Sequence, residues 1–281
     1  MVIVPNRVGQ LGNQLFHIAH FAASSIENHF KTIFACFEFS LDCFPKINSN
    51  NNIIVLRISD LRNRWQYRFV KLLRLTAPNS PFHECLVSLD PPHLPTGSEN
   101  FVRKAKKKII FCEGFAFRDP KNLAKHFEEV VDLLDYNAAT KNEVSQFFLS
   151  KGIAEDDFVV GFHVRRADYR DYEGGKYFIE DDQWLSIFQL VREQVISSGN
   201  RFVGLLFSNE NVDHFIHGAS DLYLGPGGML SDLATLGRCQ LIVAPPSTYS
   251  GWASFSGKVP LLKIEKSITP MPIQDAQIVS W

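Results

Sequence analysis

The stretch GFHVRRADYR, residues 161–170, sets two adjacent arginines, a histidine and an aspartate at the end of an apolar run. Arginine is permanently charged, and its planar fork can donate two parallel hydrogen bonds to a phosphate or carboxylate. Side chains alternate along a strand, so His163 and Arg165 are expected on one side, with Val164 and Arg166 on the other. Asp168, three residues beyond Arg165, is spaced to orient that guanidinium or to take a proton. One arginine at a strand end is ordinarily half of a surface ion pair. Two with a His and an Asp point to an anion site, because perturbed charges cluster where ligands bind.

Three other stretches carry polar groups at expected strand ends. In VPNRVGQLGNQLFHIAHFAAS (4–24), Gly9 and Gly12 form a loop before a helix expected to begin near Asn13. Glycines let backbone approach a ligand, and a helix N-terminus favours an anion. The GxxGNQ pattern is neither GxGxxG nor GxxxxGK[ST]. Asn13 reads equally as an amide for sugar hydroxyls or as an N-cap, and His17, His20 and Phe21 read as packing. In LLFSNENVDHF (205–215), Glu210 at a strand tip can accept from adjacent N–H groups such as those of guanine, or cap the next structure. In GPGGMLSDLATLGRCQLIVAPPSTYSGWASFSG (225–257), Ser231 reads as the N-cap of a short helix carrying Asp232. Ser247, Thr248 and Ser250 then cluster where another helix begins, as a diphosphate nest or as simple capping.

The elements that must position these groups alternate. Apolar runs suited to strands lie at 2–4, 32–39, 52–56, 108–115, 158–164, 202–208, 221–225, 239–245 and 260–264. Helical patterns lie at 13–28, 60–75, 119–135, 137–151, 181–198 and 230–238. Several strand runs are continuously apolar, the mark of parallel strands buried on both faces. The class is therefore α/β, read as two Rossmann-like halves, 1–150 and 151–281.

The chain has 281 residues, 45% of them apolar, and a formal net charge of −1. That suits one large or two mid-sized globular domains and offers no global argument for nucleic acid. The start MVIVPNRVGQ has no basic or long apolar region, so no signal peptide is expected, and no run is long enough for a membrane span. Five scattered cysteines without a CxxC pair fit a reduced, cytosolic chain. The basic segment 57–75 reads as a solvated helix face, or as a contact with a membrane surface or acidic glycolipid. RKAKKK, 103–108, reads as a solvated turn. HExxH and a strand-end DxD are both missing, so no metal site is expected, and without GxSxG neither is a serine triad.

The blocks in this order resemble the α1,2-fucosyltransferases, an inverting family that uses GDP-fucose. GQLGNQLF (9–16) is similar to that family's G-x-L-G-N-Q-[LM]-F block, and HVRRADY (163–169) to its H-[VI]-R-R-G-D motif. FSNE (207–210) stands where the family has F-S-D-D, and STYSGWA (247–253) where it has S-T-F-S-W-W-A. CEGFAFRDPKNLAKHF (112–127) is loosely similar to G-Y-F-Q-S-x-x-Y-F. Ala167, the Asn209–Glu210 pair and Gly251 depart from the pattern.

The resemblance implies a GT-B fold, with two Rossmann-like domains facing across a cleft. It puts the acceptor on the N-terminal half and GDP-fucose on the C-terminal half, with no cofactor and an arginine in the place of a metal. Arg165 and Asp168 are then the expected catalytic pair. Asn13, His163, Arg165, Glu210, Asp232, Ser247, Thr248 and Ser250 are the expected donor-binding set, Glu210 at guanine. The implied reaction carries fucose to the 2-hydroxyl of a terminal β-galactoside, such as lactose or a lipid-linked surface glycan. Another GDP-sugar, a protein acceptor and a catalytically inactive binding module stay open. The expected setting is a bacterial cytoplasm, with a peripheral membrane contact.

Overall fold

The computed structural model describes residues 1–37, 39, 41–57, 68, 72, 81–266 and 272–280. They fall into two compact units, Met1–Asn137 with Ser280, and Ala138–Val279.

In the first unit the elements run β1 (Val2–Val4), α1 (Leu11–Asn28), β2 (Thr32–Phe37), β3 (Ile53–Arg57), β4 (His83–Val87), β5 (Leu94–Pro95), α2 (Glu99–Lys107), β6 (Ile109–Glu113), β7 (Phe117–Arg118), α3 (Pro120–Lys125) and α4 (Phe127–Leu133). Five strands pair in parallel in the order β3-β2-β1-β6-β4. Helix α1 is buried almost all round, so its polar residues find partners within the fold. Ser24 Oγ donates to the Thr96 carbonyl at 2.9 Å, and His20 Nδ1 accepts from the Asp119 amide at 3.0 Å. Burial also holds His17 and His20 neutral, each with its pKa lowered to about 3. Both histidines pack, as the sequence reading expects.

The second unit runs α5 (Ala138–Ser150), β8 (Phe158–Val164), α6 (Asp181–Ser197), β9 (Phe202–Ser208), β10 (Leu222–Leu224), α7 (Met229–Leu236), β11 (Leu241–Ala244), α8 (Thr248–Gly257) and β12 (Leu261–Lys263). Its parallel sheet is ordered β10-β9-β8-β11-β12. On α6 the buried residues Trp184, Phe188, Val191 and Val195 recur at helical spacing and cover the sheet. Phe188 meets Phe162 of β8 edge-on, ring centroids 4.8 Å apart. Glu180 and Gln183 form a reciprocal capping box at the start of this helix.

Each half is thus the doubly wound α/β unit expected, with corrections. The units divide after residue 137 and not at residue 150. Helix α5 packs with the second unit, where Glu143 accepts from Ser231 Oγ at 2.6 Å. Residues 103–107 are helical, not a turn. Ser98 caps α2, and Phe101 and Ala105, four apart, are buried while the lysines face outward. Strand β4 escapes the apolar-run criterion because it is a half-exposed edge strand bearing His83 and Glu84. The expected helix at 119–135 is two, α3 and α4, meeting at His126. Of the basic segment expected as a helix over 60–75, all but residues 68 and 72 lies outside the described residues. No helix among the described residues is long and apolar enough to cross a membrane.

Helices α7 and α8 approach closely where Gly257 meets Gly237. A Cβ on Gly257 would lie 2.2 Å from the Gly237 carbonyl oxygen, a backbone atom that cannot rotate away. Gly257→Ala is expected to cost about 1–3 kcal/mol by overpacking. Denaturant unfolding checks this, with a lower midpoint at unchanged slope as the expected result.

Candidate functional site

In chain order the second sheet starts at its centre. From β8 the chain moves outward through β9 to β10, then returns to place β11 and β12 on the other side. The connections therefore diverge beyond the carboxyl ends of β8 and β11. Ligands of open α/β sheets bind at such a switch point.

His163 is the penultimate residue of β8, and Tyr249 follows β11. Their rings face each other across this point, centroids 5.2 Å apart. His163 is 4% exposed, and burial followed by the Arg165 charge lowers its pKa to about 3. It is a neutral imidazole, with a buried Nδ1 that no group among the described residues hydrogen-bonds.

The two arginines have different fates. The Arg165 amide donates to the His163 carbonyl at 3.0 Å, so the chain turns and strand alternation stops there. The Arg165 side chain stays just past the carboxyl end of β8. Its Nη2 is 2.9 Å from the Asp168 carboxylate, and its guanidinium carbon lies 5.4 Å from the Tyr169 ring centroid. Arg166 turns inward. Its Nη1 donates to the Ile179 carbonyl at 3.0 Å, its Nη2 pairs with Asp181, and it lies over the rings of Phe178 and Phe215. Arg166 is consumed by the fold, and Arg165 is the arginine the site presents.

The turn between them is held from β9. Asn209 Oδ1 accepts the Arg166 amide at 3.0 Å, and Glu210 Oε1 accepts the Ala167 amide at 3.1 Å. Ala167 has φ +37°, a left-handed conformation that a Cβ disfavours, and the Glu210 bond helps hold it. Both oxygens of Glu210 also accept from Arg170 at 2.7 Å, and this pairing lowers the carboxylate's pKa. The expected base-reading carboxylate is thus already engaged in bracing a turn.

Asp232 lies in the first turn of α7. The helix begins at Met229 behind Gly228, so Ser231 is not its N-cap as expected; its hydroxyl goes to Glu143 instead. Asp232 Oδ1 accepts from the Gly227 amide at 3.0 Å. Burial raises its pKa to about 6, with the nearby Glu143 charge adding to the rise. Ser247 is the N-cap of α8 and accepts from the Tyr249 amide at 3.2 Å. Thr248 opens that helix, while Ser250 is fully buried and donates to the Ser247 carbonyl at 3.3 Å. Ser247 and Thr248 therefore stand at the helix's positive end, and Ser250 supports them from behind.

Asn13 belongs to the first unit. Helix α1 begins at Leu11, so Asn13 sits within its first turn and is not the cap. Its side chain folds over Gly9, where a Cβ would lie 2.1 Å from Asn13 Nδ2. Gly9 has φ +57°, so glycine serves there on both counts. Behind this loop a pocket in the same unit is lined by Asn6, Arg7, Gln14, His17, Phe34 and Phe37 among others.

Sequence reasoning missed the supports. Tyr169 donates its hydroxyl to the Pro246 carbonyl, tying the turn after β8 to the loop after β11. Tyr249 donates to the Met229 carbonyl at 2.6 Å, tying α8 to the start of α7. Arg170 completes the Glu210 pair. The only signal for the tyrosines was their presence inside the two polar blocks.

No family model matches the sequence, and comparison with curated proteins finds no match. Solved structures do match in fold. POFUT1 in complex with GDP-fucose is 12% identical, over 91% of this chain and 93% of that one, with a TM-score of 0.56. The fucosyltransferase NodZ from Bradyrhizobium is also 12% identical, over 95% and 97%, with a TM-score of 0.56. A point mutant of Arabidopsis thaliana FUT1 in complex with GDP is 11% identical, over 98% and 72%, with a TM-score of 0.63. At these identities the likeness is one of fold: mixed α/β with parallel sheets, as in GT-B fucosyltransferases.

Asp232 yields a pH dependence. Its folded pKa, about 6, lies above the ordinary aspartate value of 3.8. The fold therefore disfavours its ionised form, so stability is fully present below pH ~4 and is lost as pH rises through ~6. Asp232→Asn is expected to remove this loss, up to roughly 3 kcal/mol at neutral pH. Urea unfolding of both proteins at pH 4 and pH 7.5 checks it: the variant should gain on wild type only at the higher pH.

Proposed function

We propose that the protein is a GDP-fucose-dependent fucosyltransferase, acting on the 2-hydroxyl of a terminal β-galactoside with inversion. The observation that carries this reading is the arrangement at the β8–β11 switch point. Arg165 is paired with Asp168 and lies over Tyr169, whose hydroxyl reaches Pro246 just before the Ser247 cap of α8; neutral His163 packs on Tyr249 of that helix, and Asp232 lies in the first turn of α7. A guanidinium next to a helix N-terminus and two hydroxyls suits a diphosphate. The solved structures of like fold include complexes with GDP and with GDP-fucose, which favours that nucleotide and that sugar.

In this reading the bond between the anomeric carbon and the β-phosphate oxygen lengthens, and negative charge collects on the departing GDP. Arg165 is preorganised toward that charge, so it stabilises the transition state more than the ground state. Asp168 acts as a positioning residue, because its carboxylate already holds the Arg165 fork. Ser247 and Thr248 line the phosphates. Asp232 takes the guanine-reading role expected of Glu210: one oxygen accepts from Gly227, and the other can accept from the base. One of the solved structures of like fold is an α-1,6-fucosyltransferase, so attack by a different acceptor hydroxyl is the second reading.

The test is GDP release from GDP-fucose in EDTA, with and without lactose, followed by NMR of the product linkage. Lactose-dependent release with an α1,2 product is expected. In Arg165→Ala, kcat should fall by about 10²- to 10³-fold. Near-normal turnover by the folded variant contradicts the role of Arg165. A different linkage replaces the 2-hydroxyl by the one observed.

A further inference from the structure

The segment after Arg165 gathers three tyrosine rings, two of which have no place in the diphosphate reading. Tyr169, Tyr172 and Tyr177 form a cluster of rings. Tyr169 and Tyr172 have centroids 5.7 Å apart with planes 22° apart, and Tyr172 and Tyr177 are 6.2 Å apart with planes 27° apart. Tyr169 is the anchored base, 8% exposed and bonded through its hydroxyl to Pro246. Tyr172 is the open face, 51% exposed. The loop takes a costly route to place it. Glu173, Gly174 and Gly175 all have positive φ, at 49°, 69° and 74°. For Glu173 that conformation is unfavourable by roughly 1 kcal/mol.

The cluster adjoins the reaction centre, because the Arg165 guanidinium itself lies over the Tyr169 ring. Its chemistry selects one kind of ligand. The ring faces are apolar with a negative quadrupole, and phenol hydroxyls form a polar rim. Burial and the neighbouring Glu173 raise the pKa of Tyr172 above its ordinary value. Lys176 donates to the Tyr177 hydroxyl at 3.1 Å and lies over that ring, which leaves Tyr172 as the uncovered face. A pyranose has a matching build: one face of C–H groups and a rim of hydroxyls.

We infer that the Tyr169–Tyr172–Tyr177 cluster is an acceptor-sugar platform, on which a neutral pyranose stacks against Tyr172 beside the diphosphate site. The inference rests on the fucosyltransferase reading for the sugar's role as acceptor, but the binding is testable without transfer. Saturation-transfer NMR of the full chain with lactose, at saturating GDP, is compared for wild type, Tyr172→Ala and Tyr172→Phe. Tyr172→Phe, which keeps the ring face and loses one rim hydroxyl, is expected to bind about two- to threefold more weakly than wild type, and Tyr172→Ala roughly five- to tenfold more weakly, the measure of one aromatic contact. GDP affinity by calorimetry should be unchanged in all three, and Tyr172 is exposed enough that folding is not at risk.

Equal lactose binding by Tyr172→Ala overturns the inference, as does failure of wild type to bind lactose or any of the β-methyl glycosides of galactose, glucose and N-acetylglucosamine. Loss of GDP affinity in Tyr172→Ala also overturns it, because the ring would then be stacking the base. If binding follows the expected pattern while no GDP is released from GDP-fucose, the platform stands and the fucosyl-transfer reading falls.

Discussion

A guanidinium can be taken out of water only if its donors are met, and Arg166 is where this fold meets that demand. Its side chain is 6% exposed, between Phe178 and Phe215, with the Ile179 carbonyl and Asp181 as partners. Left unpaired at that depth, the charge would cost several kcal/mol. The buried arginine fastens the end of β8 to the start of α6. The backbone on either side of it has no freedom to relax, because Asn209 and Glu210 hold the amides of residues 166 and 167. Arg165, just past the carboxyl end of the central strand β8, turns instead to Asp168 and Tyr169.

From that fixed turn the rest of the second unit's site follows by short, local ties. Tyr169 reaches from the turn to Pro246, and Tyr249 reaches from α8 to Met229. The carboxyl ends of β8 and β11 and the start of α7 are thereby linked through two tyrosine hydroxyls. Electrostatics then divides the labour. His163 is kept neutral by burial and by the Arg165 charge. Asp232 is pushed toward its protonated form by burial, against the Gly227 amide that favours its charge.

Much of this was legible in the sequence, for a physical reason. Continuous apolar runs such as FVVGFHV and FVGLLFS are what a doubly covered parallel sheet requires, so β8 and β9 were placed to the residue. Polar groups at the ends of such strands made Arg165, Asp168, Asp232, Ser247 and Thr248 candidates, and the structure puts Arg165 and Asp168 just past β8 and Ser247 and Thr248 at the start of α8 after β11. What stayed hidden depends on tertiary partners. Arg165 and Arg166 are chemically identical, and only the turn at residue 165 separates a side chain paired with Asp168 from one buried against Ile179 and Asp181. Glu210 looked like a base reader because Arg170, forty residues earlier in the chain, is not visible as its partner in one dimension. Strand β4 was missed because an edge strand needs no apolar run, and α2 because its lysines masked a two-residue buried stripe.

The central claim is that Arg165, and not Arg166, meets the diphosphate. A crystal structure of the protein with GDP tests it most directly. The account predicts the phosphates between the Arg165 guanidinium and the N-terminus of α8 at Ser247 and Thr248, with Arg166 still bonded to Ile179. A nucleotide bound away from the β8–β11 switch point, or one that draws Arg166 out of its buried seat, would contradict it.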